Sequence, residues 1–252
     1  KDIDDLFSFS TLSKYITVIK EFYKYYDRVY AAENNGQYKD IWNYDYESII
    51  GTYTSSLHGK QEYIKWYTEE EKEALLSNFK TLRDKAIFLI TLEGFRIDEV
   101  LSMRLKDYNS LEKVIKPSRS KGKHDGIDEN NKLRKITLPT ETCKIIDSYL
   151  YTERADAEYE SGKLNEMIFI NLNKGSYQGN PLLYRNYWEI IKKCATRAKM
   201  NSEKIRTHSG RSTKVMEMLE HQAEYPEDGI SDASFLEQFG WSRIDSDRKS
   251  VV

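Results

Sequence analysis

Apolar positions along the first third of the chain recur three and four residues apart, the spacing of one helix face. In residues 11–32 the stripe is Leu12, Tyr15, Ile16, Ile19, Phe22, Tyr23 and Tyr26, behind a Ser10 or Thr11 cap and ahead of Asn34-Asn35-Gly36. This predicts an amphipathic helix. A weaker helical stretch over 45–57 gives way to the polar segment Leu57-His58-Gly59-Lys60-Gln61, which reads as a linker. At Thr68-Glu69-Glu70-Glu71 a hydroxyl stands three residues before a carboxylate, the capping-box spacing, and predicts a helix to about Phe79. A further helix is expected over 83–93, stopped by Gly94, with a restart over Ile97–Met103.

After Tyr108 the period changes from helical to alternating. Val114-Ile115 and Leu133–Pro139 read as short strands around a long basic turn, and Met167–Ile170 as another short strand. Helices are expected near 140–160, over Leu183–Ala198, and from His208 to about His221 behind a Thr207 cap. Residues 224–233 read as a polar loop. The pattern implies two domains: a helical one over 1–60, a linker over 61–67, and a second over 68–252. The expected fold class is mainly α with a small antiparallel β-sheet.

Composition narrows the function classes. The 252 residues carry 39 Lys+Arg against 41 Asp+Glu and are 39% hydrophobic, which is globular usage. No window approaches a membrane-spanning length, the start lacks the pattern of a signal peptide, and two cysteines, Cys143 and Cys194, make neither a disulfide framework nor a zinc site. The expectation is a cytoplasmic protein without a metal. Asp125–Asn131 is rich in oxygen ligands but fails the calcium-loop template, and no nucleotide-binding glycine motif follows a strand.

A net charge of −2 argues at first against nucleic acid. Its distribution reverses that. Residues 113–135 hold eight Lys/Arg against three Asp/Glu, and 185–214 hold nine against two, whereas 215–252 hold three against nine. Local charge, not the total, sets the field a phosphate meets. Within these blocks and near them, Arg96 follows a glycine at a helix start, and His208 and Arg211 are three apart at another, the spacing of one helix face. An arginine fork gives bidentate bonds to phosphate oxygens, and a helix start adds N–H donors.

Three boxes in order carry a family resemblance. Thr91-Leu92-Glu93-Gly94-Phe95-Arg96-Ile97-Asp98-Glu99-Val100-Leu101-Ser102-Met103-Arg104-Leu105-Lys106-Asp107-Tyr108 resembles the first signature box of the tyrosine recombinases, the phage integrase family. Thr207-His208-Ser209-Gly210-Arg211 resembles their His-x-x-Arg box, though the residue before the arginine is more usually Leu, and Phe239-Gly240-Trp241-Ser242 resembles the later Gly-His/Trp box. Trp66–Leu76 is similar to the family's catalytic-domain opening, and the helix at 11–32 more faintly to its core-binding domain.

The resemblance implies that duplex DNA is enclosed by a two-domain clamp and cut by a tyrosine, giving a 3′-phosphotyrosyl link and a free 5′-hydroxyl without metal or cofactor. Arg96 and Arg211 would clamp the non-bridging oxygens, His208 would donate or move a proton, Trp241 would donate from its indole, and Glu99 would orient the site. A lysine on the basic turn would protonate the leaving oxygen: Lys121, with Lys123 as the alternative. Arg119, Lys123, Arg206 and Lys214 would meet DNA. Tyr15, Tyr23, Tyr25, Tyr26 and Tyr30 suit base stacking or, more simply, packing. Tetramer assembly, a Holliday junction, a place in the bacterial nucleoid and a mobile-element owner are implied with it.

No tyrosine follows Tyr225, and the position where the family commonly places its nucleophile is Ser250. Three arrangements fit: a tyrosine past Val252, Ser250 in its place, or a relative that does not cut DNA. A type IB topoisomerase would use the same boxes to relax supercoils.

Overall fold

The structure, a computed structural model, describes residues 9–33, 66–117 and 134–240. The weaker helix at 45–57, the linker, the basic turn with Arg119, Lys121 and Lys123, and the segment with Trp241 and Ser250 lie outside the described residues. Backbone proximity divides the chain into two compact units, Lys1–Tyr63 and Ile64–Val252.

In the first unit α1 runs Phe9–Glu33. The apolar stripe read from sequence lies along it, with Tyr15, Ile19, Phe22 and Tyr26 exposed among the described residues.

The second unit opens as its capping chemistry dictates. The Thr68 hydroxyl accepts from Glu71 N at 3.3 Å and the Glu71 carboxylate accepts from Thr68 N at 3.1 Å, satisfying two amides that a helix start leaves unbonded. Here α2 spans Glu69–Asn78. Its C-terminal carbonyl at Asn78 accepts two bonds from Arg197, at 3.1 and 2.8 Å. Next, α3 spans Leu82–Leu92 behind a Thr81 cap and is buried nearly all round, with Ala86, Ile87, Phe88 and Ile90 at the centre of the core. Burying each of these larger side chains contributes about 1.5–3 kcal/mol, so α3 is the element the others pack around.

After Gly94, α4 spans Ile97–Leu101, ending two residues short of the expected Met103 because Ser102 turns back to close it. A three-stranded antiparallel sheet follows, β1 (Tyr108–Asn109), β2 (Val114–Ile115) and β3 (Ile136–Thr137), in that order, with Val114 opposite Thr137 and Ile115 opposite Ile136. The sequence pattern did not mark β1. Around β3 the twofold period aligns the flanking Arg134 and Leu138 with Ile136, and Ile136, Leu138 and the Arg134 side chain are buried.

The helical stretch at 140–160 is α5 (Thr140–Tyr149), a π turn at Leu150–Arg154, and α6 (Ala155–Ser161). The expected strand at Met167–Ile170 is corrected: only isolated bridges, Arg104 to Met167 and Ile170 to Pro181, form there. The reason is that side chains take its main-chain groups. Arg154 Nε and the Tyr149 hydroxyl both donate to Ile168 O, at 3.2 and 3.0 Å, and Arg83 Nη1 donates to Ile170 O at 3.0 Å. A buried backbone must be bonded to something; here side chains take the Ile168 and Ile170 carbonyls, while Ile168 N and Phe169 O make single main-chain bonds to Met103 and Leu182.

Then α7 spans Tyr184–Arg197, α8 Ser209–Glu224 and α9 Asp232–Phe239, with a short 3-10 turn at Pro226–Asp228 inside the expected polar loop. The cap of α8 differs from expectation. Its cap residue is His208, and the Thr207 hydroxyl instead pairs with the Tyr184 hydroxyl at 2.9 Å. Val215, Phe235 and Phe239 form a small second core between α8 and α9.

Candidate active site

The site grows from Gly94. Its φ of +89° belongs to the left-handed region that glycine tolerates, and this lets the chain leave α3 and turn at once into α4. Arg96 then caps α4. Glu99, one turn on, reaches back: its Oε2 accepts from Arg96 N at 2.8 Å and its Oε1 from Arg96 Nη1 at 3.1 Å. The glutamate is 4% exposed and Arg96 21%. A buried carboxylate so bonded restricts the direction of the arginine beside it. The five-residue helix start is itself occupied by this carboxylate.

Arg211 enters from α8, one turn inside its start. It is buried, donates from Nη1 to Gly94 O at 2.6 Å and from Nη2 to Phe239 O at 2.8 Å, and lies over the Phe239 ring at 5.1 Å. One guanidinium therefore binds the loop before Arg96 and the end of α9 together. Arg211, far from Arg96 along the chain, is thus bonded to the turn from which Arg96 leaves. His208 stands exposed at the cap of the same helix.

Close packing makes this possible. A Cβ on Gly94 would fall 2.6 Å from Phe239 Cε1, and one on Gly210 would fall 3.1 Å from the Thr91 carbonyl carbon. The glycine in His-Ser-Gly-Arg, where the family more usually has Leu, is thus the residue that lets α8 lie against α3.

Of the residues expected on DNA, Arg206 is exposed and Lys214 is half-buried between Glu93 (3.6 Å) and Glu217 (3.9 Å). Burial pushes the Glu93 carboxyl above its ordinary pKa, against the pull of Lys214. Lys192 donates to Ser202 O and stands over the Trp188 ring at 5.6 Å; burial, and then repulsion from Arg206, pushes its pKa down. The basic block over 185–214 therefore divides: Arg197 and Arg211 are committed to main-chain carbonyls, while Arg185 and Lys193 stay at the surface.

Sequence reasoning missed Arg134. Its side chain is 5% exposed, donates from Nη2 to Glu99 Oε2 at 2.5 Å, and lies over the Phe95 ring at 4.4 Å. Its position two residues before Ile136, on the alternation that also buries Leu138, is the signal that marks it, because a charged residue on a core face needs a buried partner. Lys121, Lys123, Arg119, Trp241 and the nucleophile are not placed.

The sequence profile of the phage integrase family matches residues 65–244. Among solved structures, a fragment of the Tn1549 transposon integrase in complex with circular-intermediate DNA is similar at 16% identity and a TM-score of 0.63, over 97% of this chain and 75% of that one. The XerH site-specific recombinase bound to a palindromic difH substrate is similar at 16% identity and a TM-score of 0.55, over 78% of this chain and 51% of that one. The XerA recombinase is similar at 15% identity and a TM-score of 0.54, over 91% and 76%. No curated protein sequence matches alongside them. These likenesses establish the fold, a helical domain with a small antiparallel sheet, and the profile match over most of the chain establishes the lineage: the protein belongs to the phage integrase family of tyrosine recombinases.

Proposed function

We propose that the protein is a site-specific DNA recombinase that cuts and rejoins strands through a 3′-phosphotyrosyl intermediate. The observation that carries this reading is that Arg211 binds the Gly94 carbonyl, two residues before Arg96, while Glu99 is buried against Arg96. Two guanidinium groups, those of Arg96 and Arg134, share this one carboxylate, and a third, that of Arg211, is bonded to the neighbouring Gly94 carbonyl. Such a cluster suits an anion, and the anion whose charge grows during the reaction is the scissile phosphate.

In the step proposed, a tyrosine oxygen attacks the phosphorus, the bond to the 5′-oxygen breaks, and a proton passes to that leaving oxygen. Arg96 and Arg211 neutralise the non-bridging oxygens. Preformed donors in a dry site supply the largest share of such catalysis, and removing one typically costs about 100- to 1000-fold in rate. His208 assists as donor or proton-transfer group, Trp241 donates from its indole, and Lys121, or else Lys123, delivers the proton. Arg119, Arg206 and Lys214 are proposed to meet the duplex. Strand exchange would proceed in a tetramer through a Holliday junction. The Tn1549 integrase, solved with circular-intermediate DNA, supports a mobile-element role.

The experiment is covalent capture. Full-length protein is incubated with a fragmented DNA library, denatured in detergent, and the DNA retained on protein is sequenced. A recurrent site, followed by strand exchange between two copies of it, supports the reading. Relaxation of supercoiled DNA without exchange would select the topoisomerase reading instead, and absence of any adduct a non-cutting DNA-binding relative. A sulfur in place of the bridging 5′-oxygen leaves without a strong acid, so it should restore cleavage to a variant of the true lysine.

A further inference from the structure

Arg134 is unusual in its own right. Of its three guanidinium nitrogens, Nε and Nη1 are fully buried and have no hydrogen-bond partner among the described residues. An arginine so placed normally satisfies these donors, since an unbonded buried polar group costs about 1–3 kcal/mol. Burial pushes its pKa below the ordinary value, with Arg96 adding repulsion and Glu99 opposing both. What it touches explains why it stays. Nη2 binds Glu99 Oε2 at 2.5 Å and lies 3.5 Å from Gly94 O, the carbonyl that Arg211 also binds; Nη1 sits beside Gly240, where an added Cβ would be 3.4 Å away. Arg134 thus lies where the entry to β3, the Gly94 turn and the end of α9 converge.

Resting on the recombinase reading above, we propose that Arg134 is a positioning residue for strand cleavage: it holds Glu99 through Oε2 and so fixes the direction of the Arg96 guanidinium, bonded to Oε1, toward the scissile phosphate. Glu99 offers two oxygens. Oε1 serves Arg96 Nη1, while Oε2 serves both Arg96 N and Arg134 Nη2. Without Arg134, Oε2 loses this charged partner and the carboxylate turns about its last torsion. Arg96 then keeps its charge but loses its aim.

The test uses full-length protein and the duplex recovered by covalent capture, with R134Q and R134K. Single-turnover cleavage of the ordinary phosphodiester should fall about 100-fold in R134Q, the scale of a small misplacement in a reacting site, and less in R134K, while duplex affinity stays unchanged. The decisive comparison is a duplex with a methylphosphonate at the scissile position. That group carries no charge for Arg96 to neutralise, so the R134Q deficit should shrink on it, as should that of R96A. A bridging-sulfur duplex, which relieves the need for an acid, should leave the deficit in place.

Equal deficits of R134Q on the phosphodiester and the methylphosphonate mean a merely structural role and overturn the proposal, as does cleavage at the wild-type rate. If R134Q does not fold, R134K on the same two substrates makes the same comparison, with the same two outcomes against the proposal. A wild-type protein that forms no adduct on any duplex overturns the recombinase reading itself, and this proposal with it; a wild type that cuts beside an unaffected R134Q overturns only the role of Arg134.

Discussion

Replacing Gly94 with alanine separates backbone strain from packing at the centre of the site. At φ +89° a Cβ-bearing residue loses about 1–2 kcal/mol against its preferred backbone region. The added Cβ would also lie 2.6 Å from Phe239 Cε1, on a ring that is fully buried in the small core between α8 and α9. Forcing extra volume into a packed core costs about 1–3 kcal/mol. Alanine also stiffens the unfolded chain, which offsets about 0.4–1 kcal/mol. The expected net loss is about 1–4.5 kcal/mol.

Gly162 supplies the control. It has φ +67° at the end of α6, and a Cβ there meets nothing within 4 Å. Gly162→Ala keeps the strain and the unfolded-state effect but has no clash, so it should cost about 1 kcal/mol or less. Equilibrium urea unfolding of the two variants and the parent measures both losses, and their difference reads the Phe239 contact alone. Phe239→Leu in the Gly94→Ala background should recover part of the loss, giving a coupling energy from the double-mutant cycle. Equal losses at Gly94 and Gly162 would refute the idea that the Phe239 ring holds the Gly94 turn in place.

Other consequences follow from single contacts. Because burial raises the pKa of Glu93 in the folded protein, the group favours folding most at low pH and loses that contribution as pH rises through its folded value; Glu93→Gln should abolish this slope and gain stability on the parent toward neutral pH, read by chemical unfolding across the acid range. Arg197→Met removes two bonds to the end of α2 and should cost about 1 kcal/mol, visible as a lowered melting temperature. Duplex binding should weaken steeply with salt, because the cationic residues are concentrated in two segments, and a flat dependence would contradict the expected phosphate contacts.

Much of the fold is legible in the sequence because its signals are local. The Thr68–Glu71 capping box, the apolar stripe of α3, the stop at Gly94 and the alternation around β3 each depend on residues a few positions apart, and the structure forms each where the spacing puts it. The boxes around Arg96 and Arg211 are legible in the same way, as residue types at fixed intervals. Legibility ends where distant groups decide. Met167–Ile170 has the apolar run of a strand, yet arginines and a tyrosine from other elements bond its main chain, so no ladder forms. Thr207 has the composition of a helix cap, but Tyr184 takes its hydroxyl.

The sequence by itself determined most of the helices, because helix period and capping are properties of neighbouring residues, and its boxes around Arg96 and Arg211 carried the family resemblance. Only the tertiary structure decided how those arginines are used. Gly94 had to pack under Phe239, Gly210 had to close against Thr91, and the chain entering β3 had to turn Arg134 inward before Glu99 could be shared between two cations. Those are contacts between residues far apart in the chain, made when α3 is buried on all sides, and no local spacing encodes them.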